Sequence, residues 1–317
     1  MSDILTITLN PALDVSGCTH HVEHTRKLRC DQVHRHPGGG GVNVARVLHR
    51  LGADCSAMCM VGGPSGQMLL SLMLEEGVPC VPVAVGGHTR ESFTVLDLAN
   101  LQEYRFVLPG PDVHADEWKA MLALLAWQAP SRYVVISGSL PPGVPQDAYA
   151  QLASAVSSWG AQLVIDGSGP SLVSALGHGV YLAKPSLREL RELTALPLTN
   201  LEEVGVAATQ LVKQKKAQVV AVSLGEKGAL MATDEGVVYA PPLAINVLSA
   251  VGAGDSFVGG MVWSLSRGED LRQAFAYGVA AGSAALLNKG TGLAYPEDVH
   301  QLVQNVLQTG DLALVDL

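Results

Sequence analysis

Short apolar runs of strand length alternate along this chain with segments whose apolar residues recur at helical spacing. Parallel strands need a crossover between them, so this rhythm implies βα units around a mostly parallel sheet. Strands are expected at Ile4–Leu9, Ser56–Val61, Tyr133–Ser137, Gln162–Asp166, Val180–Ala183 and Val219–Ser223. Between them, Val44, Val47, Leu48 and Leu51 fall at i, i+3, i+4 and i+7, as one face of a helix requires. Tyr149, Leu152, Ala153 and Val156 repeat that spacing before Gly160, which suits a helix C-terminus. Ala229–Thr233 and Val237–Ala240 flank Asp234-Glu235-Gly236 and form an expected antiparallel hairpin. With 317 residues, 48% of them hydrophobic and 15% charged, the chain can fill a large α/β core.

Two segments break the rhythm. Gly17 to His36 is polar and basic, and Ser92 to Val107 mixes apolar, charged and aromatic residues in loose alternation. Both suit strands of a small sheet that would act as a lid over the C-terminal edge of the main sheet. The expectation is one domain over residues 1–317, with lid strands from about 16–36 and 88–108. A net charge of −9 argues against nucleic-acid and anionic-membrane partners. Cys18, Cys30, Cys55, Cys59 and Cys80 are scattered without a C-x-x-C, as in a reducing compartment, and Cys55 and Cys59 sit on a strand pattern as packing residues. No basic leader opens the chain and no run is long enough to span a bilayer, so a cytoplasmic location is expected.

Near the C-terminus, Ala250-Val-Gly-Ala-Gly-Asp-Ser256 puts two glycines and a carboxylate at the mouth of an apolar helical stretch. Gly252 and Gly254 allow a tight turn with N–H groups converging on one point, and the helix adds its positive end. A carboxylate beside such an anion hole can take a proton from an attacking hydroxyl. The competing reading is a Gly-rich turn with Asp255 as helix N-cap. No Gly-Lys-Ser/Thr occurs, and Phe257 stands where a dinucleotide fingerprint needs its third glycine, which disfavours P-loop and Rossmann readings. The second motif, Pro37-Gly-Gly-Gly-Gly-Val-Asn-Val-Ala-Arg46, offers bare backbone to a ligand, with Asn43 able to donate to and accept from sugar hydroxyls. His20, His21, His24, His34 and His36 lack metal-ligand spacing and suit an exposed face.

Together these motifs resemble the signatures of the ribokinase-like sugar kinases, most closely the phosphofructokinase B branch. The resemblance extends through Thr8–Asp14, Lys27-Leu-Arg-Cys30, Thr89-Arg90, Tyr104-Arg-Phe106, Ser137-Gly-Ser-Leu-Pro-Pro-Gly143 and Gly282–Thr291, essentially the whole length. It implies a three-layer α/β/α fold with a small β-sheet lid. It implies Asp255 as catalytic base, with Gly252, Ala253 and Gly254 as the anion hole. Asp14, Gly38, Gly39 and Asn43 would grip sugar hydroxyls, while Lys27 and Arg90, with Ser139, would hold a phosphate already on the sugar. Arg29 and Arg105 are weaker members of that cationic set. Gathering cations suits a phosphorylated rather than a neutral sugar, because charge-assisted pairs with phosphate are strong.

On the nucleotide side the resemblance assigns Lys184 to the ATP phosphates and Ser223-Leu-Gly-Glu-Lys-Gly228 to ribose and phosphates, through Ser223, Gly225 and Gly228. Val279 and Ser283 would line the adenine. Glu189 and, through water, Asp166 would face Mg²⁺. Where the family reads Asn-x-x-Glu after Lys-Pro, this chain has Ser186-Leu-Arg-Glu189. K⁺ is a further implied cofactor, held by the carbonyls of Ser249, Val251, Ala285, Asn288, Gly290 and Gly292. Gly40 stands where relatives acting on fructose 1-phosphate or tagatose 6-phosphate carry Lys, which favours fructose 6-phosphate. The implied reaction is ATP-dependent phosphorylation of its 1-hydroxyl by a lid-mediated homodimer. The alternatives are a tagatose-6-phosphate kinase or 1-phosphofructokinase, and, prompted by Ser186, a non-catalytic sugar-phosphate sensor.

Overall fold

The computed structural model describes residues 2–308 and 313–315. Its strands run β1 (Ile4–Thr8), β2 (Ala12–Thr19), β3 (Asp31–Gly38), β4 (Cys55–Val61), β5 (Cys80–Ala84), β6 (Arg90–Asp97) and β7 (Gln102–Val107). They continue with β8 (Tyr133–Ser137), β9 (Gln162–Asp166), β10 (Val180–Ala183), β11 (Ala217–Ser223), β12 (Ala229–Thr233), β13 (Gly236–Ala240) and β14 (Ala313–Val315). The helices are α1 (Gly40–Arg50), α2 (Gly63–Glu75), α3 (Ala115–Ala126), α4 (Ala148–Val156) and α5 (Gly169–Leu176), then α6 (Leu187–Thr194), α7 (Leu201–Lys213), α8 (Ala253–Ser266), α9 (Leu271–Leu286) and α10 (Pro296–Gln308).

The large sheet has the order β14-β13-β12-β11-β10-β9-β8-β1-β4-β5. It is parallel from β11 to β5 and antiparallel across the β12–β13 hairpin and β14. Successive residues of β8 show why helices cover both faces. Tyr133 and Val135 join one apolar cluster with α1, α8, α9 and α10, while Val134 and Ile136 join another with α3, α4, α5 and α7. A third cluster seats α2 on β4. From β1 the chain builds outward through β4 and β5, then returns to the other flank with β8, β9, β10 and β11. That reversal makes the C-terminal ends of β1 and β8 the switch point where open α/β sheets bind ligands.

The six expected strands and the hairpin all form, with ends shifted by no more than a turn's worth of residues. Gly160 closes the α4 segment in the left-handed region at φ 64. Besides the short edge strand β14, one strand of the main sheet, β5, escaped the sequence reading. Its Pro82 argues against a central strand, but β5 lies at the sheet edge, where a missing N–H is tolerated.

The irregular segments build a four-stranded sheet of order β3-β2-β6-β7. Its first strand starts at Ala12, earlier than expected, and residues 20–30 inside the basic segment form a loop. Register gives this sheet two unlike faces. Asp14 pairs with Ser92, and Thr94 with Arg105, on one side; Val15, Phe93 and Phe106 align on the other. The loose alternation of the sequence is this two-sidedness.

Candidate active site

Helix α8 begins at Ala253, and Gly252 before it sits at φ 75 with no side-chain cap. A Cβ at Gly252 would overlap the side chain of Leu293, so both the backbone angle and the space demand glycine. The first bond of the helix runs from the Ser256 N–H to the Gly252 carbonyl at 2.9 Å. The N–H groups of Ala253, Gly254 and Asp255 precede it and form the positive tip of a fourteen-residue helix. Asp255 is therefore the third helical residue and not the N-cap, which removes the competing reading of this motif.

Asp255 meets the Gly-run helix directly. The Asn43 amide, on the first turn of α1, donates to Asp255 Oδ2 at 2.8 Å. Burial, helped by the Asp166 charge, pushes the Asp255 carboxyl up to about 7, against the opposing effects of Asn43 and Lys184. Lys184, buried at the end of β10, pairs with Asp166 Oδ1 at 3.1 Å and lies beside the bare backbone of Gly254. Burial works against its ammonium, but Asp166, Glu189 and Asp255 outweigh that and hold its pKa above the ordinary lysine value. A cation, a helix tip and a carboxyl that titrates near neutrality thus share one spot.

The residues expected on the sugar side gather at the small sheet. Asp14 is buried on β2; burial raises its pKa, while Arg105, Arg90 and Arg46 pull it down. Arg90 donates to the Asn10 carbonyl at 3.1 Å, and its Nε is buried with no hydrogen-bond partner. The Asn10 side chain donates to Ser139 Oγ at 3.1 Å. Asn10 thus joins two of the expected phosphate groups, yet sequence reasoning missed it, although it stands inside the Thr8–Asp14 motif. Arg105 is exposed on β7, close enough for its charge to act on Asp14. Lys27 and Arg29 lie exposed on the 20–30 loop, and among the described residues no ion pair ties either to this cluster.

The four glycines are packed more tightly than a ligand cradle alone would need. A Cβ at Gly38 would overlap the Asp14 carboxylate, and one at Gly40 the Ser137 hydroxyl. At Gly41 it would stand 2.6 Å from Thr8 Oγ1, and Gly39 sits at φ 103 with Pro11 Cα at 2.8 Å. Contact with the end of β8 thus holds glycine at position 40 in this backbone, whatever the position contributes to substrate choice.

On the other flank of the helix tip is a cavity of about 620 Å³. Ser223, Gly225, Gly228, Val279 and Ser283 line it with Pro241, Ile245 and Phe257, and it reaches Ala253 and Gly254. All the residues expected around ribose and adenine therefore share one hollow that ends at the anion hole. Ser186 caps α6: its N–H donates to Glu189 Oε2 at 2.8 Å, and the Glu189 N–H to its Oγ at 3.3 Å. Serine serves here as a helix cap, a role open to asparagine too. With Glu189 in that box and Asp166 on Lys184, both expected Mg²⁺ carboxylates are engaged. Among the described residues no group of three or more His, Cys, Asp or Glu could hold a metal. The arrangement fits a cation that arrives with the triphosphate and meets these carboxylates through water.

The segments expected to hold K⁺ adjoin, with the Leu248 N–H on the Leu286 carbonyl at 2.8 Å. Ser249 Oγ accepts from the Val251 N–H at 3.3 Å, and Gly290 lies against Ser16 of the small sheet. The Ala285 carbonyl already accepts from the Asn288 N–H at 3.2 Å. Gly292 is the expected K⁺ carbonyl with the strongest competing partner. Its carbonyl accepts from Arg50 at 2.6 Å, which leaves its second lone pair for a cation.

A bare helix tip between a cluster of buried carboxylate and guanidinium groups and a large hollow, at the switch point of an α/β/α sandwich, has the parts that an ATP-dependent sugar kinase needs. Residues 6–298 match the model of the pfkB family carbohydrate kinases, and the chain belongs to that family. It is 40% identical over 302 residues to the ATP-dependent 6-phosphofructokinase isozyme 2 of Mycobacterium tuberculosis, covering 95% of this chain and 89% of that one. Among solved structures it is similar to Escherichia coli phosphofructokinase-2 in complex with fructose-6-phosphate, at a TM-score of 0.91 and 37% identity over 97% of this chain and 100% of the other. The same enzyme in complex with potassium gives a TM-score of 0.92 and 38% identity over the same shares. No described helix is long and apolar enough to cross a membrane.

Proposed function

We propose that the chain transfers the γ-phosphoryl group of ATP to the 1-hydroxyl of fructose 6-phosphate, giving fructose 1,6-bisphosphate and ADP. The observation that carries this is the position of Asp255, at the tip of α8 between the Asp14–Arg90 cluster and the hollow beside Gly254. The unpartnered Nε of Arg90 supports a phosphorylated sugar, since a buried guanidinium N–H lacking an acceptor is costly and an incoming phosphate would satisfy it. The Mycobacterium tuberculosis relative is an ATP-dependent 6-phosphofructokinase and the Escherichia coli one is solved with fructose-6-phosphate, in keeping with this substrate.

In this reading Asp14 and Asn43 orient the acceptor sugar, and Arg90 and Ser139 hold its 6-phosphate. Asp255 accepts the proton of the 1-hydroxyl as its oxygen attacks in line. Lys184 and the N–H groups of Ala253 and Gly254 face the charge that gathers on the moving phosphoryl group. Mg²⁺, bound with the triphosphate and faced through water by Glu189 and Asp166, would supply further neutralisation there. Lys27, Arg29 and Arg105 add cationic charge at the rim. K⁺ would rest on the carbonyls of Ser249, Val251, Ala285, Asn288, Gly290 and Gly292.

Two measurements test these roles. Below its pKa of about 7 the Asp255 carboxyl carries a proton and cannot accept another. kcat/KM, which reports the free enzyme, should therefore fall about tenfold per pH unit on the acid side of that value. The ionisation of the sugar phosphate itself, near ~6, must be allowed for. A flat profile down to pH 5 would exclude this base. Arg90→Ala should raise the KM for fructose 6-phosphate by about tenfold to a hundredfold, the worth of a charged hydrogen bond. An unchanged KM would place the phosphate elsewhere.

We also propose that the small sheet is a lid whose outer face pairs two copies of the chain. Val33, Phe93 and Phe106 are exposed there, opposite the face that carries Asp14. Light scattering should show a homodimer that Phe106→Glu dissociates; a monomeric parent protein would refute the pairing.

A further inference from the structure

α1 buries Val42, Val44, Ala45, Val47 and Leu48, and in their midst Arg46, which is 0% exposed. An arginine so placed must satisfy five N–H donors without water. Its Nε and one terminal nitrogen lie on the Glu76 carboxylate, at 2.6 to 3.0 Å. The other nitrogen donates to the Pro37 carbonyl at 2.9 Å, the Thr291 carbonyl at 3.4 Å and Asn43 Oδ1 at 3.5 Å. Arg50 reinforces the group, reaching Glu76 at 3.4 Å and Gly292 at 2.6 Å. A buried ion pair seldom beats apolar residues of equal volume for stability, so stability is a poor reason for this one.

The consequence lies at Asn43. A side-chain amide can present either its oxygen or its nitrogen to a neighbour, and Asp255 accepts a hydrogen bond only from the nitrogen. Arg46 donates and never accepts, so it draws the Asn43 oxygen and leaves the amide N–H for Asp255 Oδ2 at 2.8 Å. We infer that Arg46 is a positioning residue for the phosphoryl transfer: locked by Glu76, it fixes which end of the Asn43 amide meets Asp255. The same guanidinium holds Pro37 at the entrance to the glycine run and Thr291 on the opposite loop. It therefore joins the sugar side of the site to the segment beside the helix tip. The inference rests on Asp255 being the base.

The test is a double-mutant cycle. Arg46→Met with Glu76→Gln removes the donor without stranding the half-buried carboxylate, and Asn43→Ala removes the amide. Each is expected to lower kcat about tenfold or more, as loss of a hydrogen bond to a charged group does, with KM for ATP within about twofold. Combined, they should lower kcat little further than Asn43→Ala alone, because Arg46 acts through Asn43. Arg46→Lys, which keeps the charge but not the fork, decides the matter in the same cycle should the first variant not fold. A kcat within twofold of the parent overturns the inference, and so does a loss that multiplies fully with that of Asn43→Ala. Failure of the underlying reading would show separately, as retained turnover in Asp255→Asn.

Discussion

Asp255→Asn is expected to keep its affinity for fructose 6-phosphate within a few-fold and to lose about a hundredfold to ten-thousandfold in kcat, the range of general-base catalysis. The amide has the shape of the carboxylate and can still accept from Asn43, whose bond to Oδ2 is 2.8 Å in the parent. It has no lone pair basic enough to take the proton of a hydroxyl. The neighbouring groups sharpen the contrast. Burial and Asp166 place the parent carboxyl at about 7, where it is largely ionised at slightly alkaline pH and still basic enough to be useful. Calorimetry gives the sugar affinity and a coupled assay for ADP gives turnover. Turnover near that of the parent would remove Asp255 from the chemistry.

Lys184→Met should cause two separable losses. Lys184 and Asp166 are both largely buried and 3.1 Å apart, so removing the ammonium strands a carboxylate in a place that disfavours charge. Breaking such a pair costs on the order of 3 kcal/mol, visible as a lowered Tm. Turnover should fall by about a hundredfold to a thousandfold, because the cation beside Gly254 no longer faces the moving phosphoryl group. Adding Asp166→Asn removes the stranded charge and should restore much of the stability while leaving kcat low. If the double variant regained the rate as well, Lys184 would be structural only.

Much of this architecture is readable from local pattern. The β8 run Tyr133–Ser137 and the β12–β13 hairpin announce themselves because burial on a sheet imposes a period that a single stretch of sequence displays. The helix tip was legible for a similar reason, since Gly252, Gly254 and Asp255 are neighbours in the chain. β5 was not, because Pro82 interrupts its short apolar run and nothing in the run alternates. The least legible features are relations across distance. Asn43 and Asp255 are 212 residues apart, and nothing near either names the other as its partner. Asn10 reads as part of a turn motif until its bonds to Ser139 and Arg90 are in place. Arg46 reads as the tail of a glycine motif until burial shows that every donor must be used. Gly40 carries a constraint that the sequence does not display: contact with Ser137 leaves no room for a Cβ there.

The most direct test is a steady-state comparison of fructose 6-phosphate, tagatose 6-phosphate, fructose 1-phosphate and free fructose with Mg²⁺ and ATP, with products read by phosphorus NMR. Fructose 6-phosphate should give the highest kcat/KM, with one ADP released for each fructose 1,6-bisphosphate formed and slower turnover of the tagatose ester. A preference for fructose 1-phosphate, or ADP released with no doubly phosphorylated sugar, would contradict transfer to the 1-hydroxyl at this site.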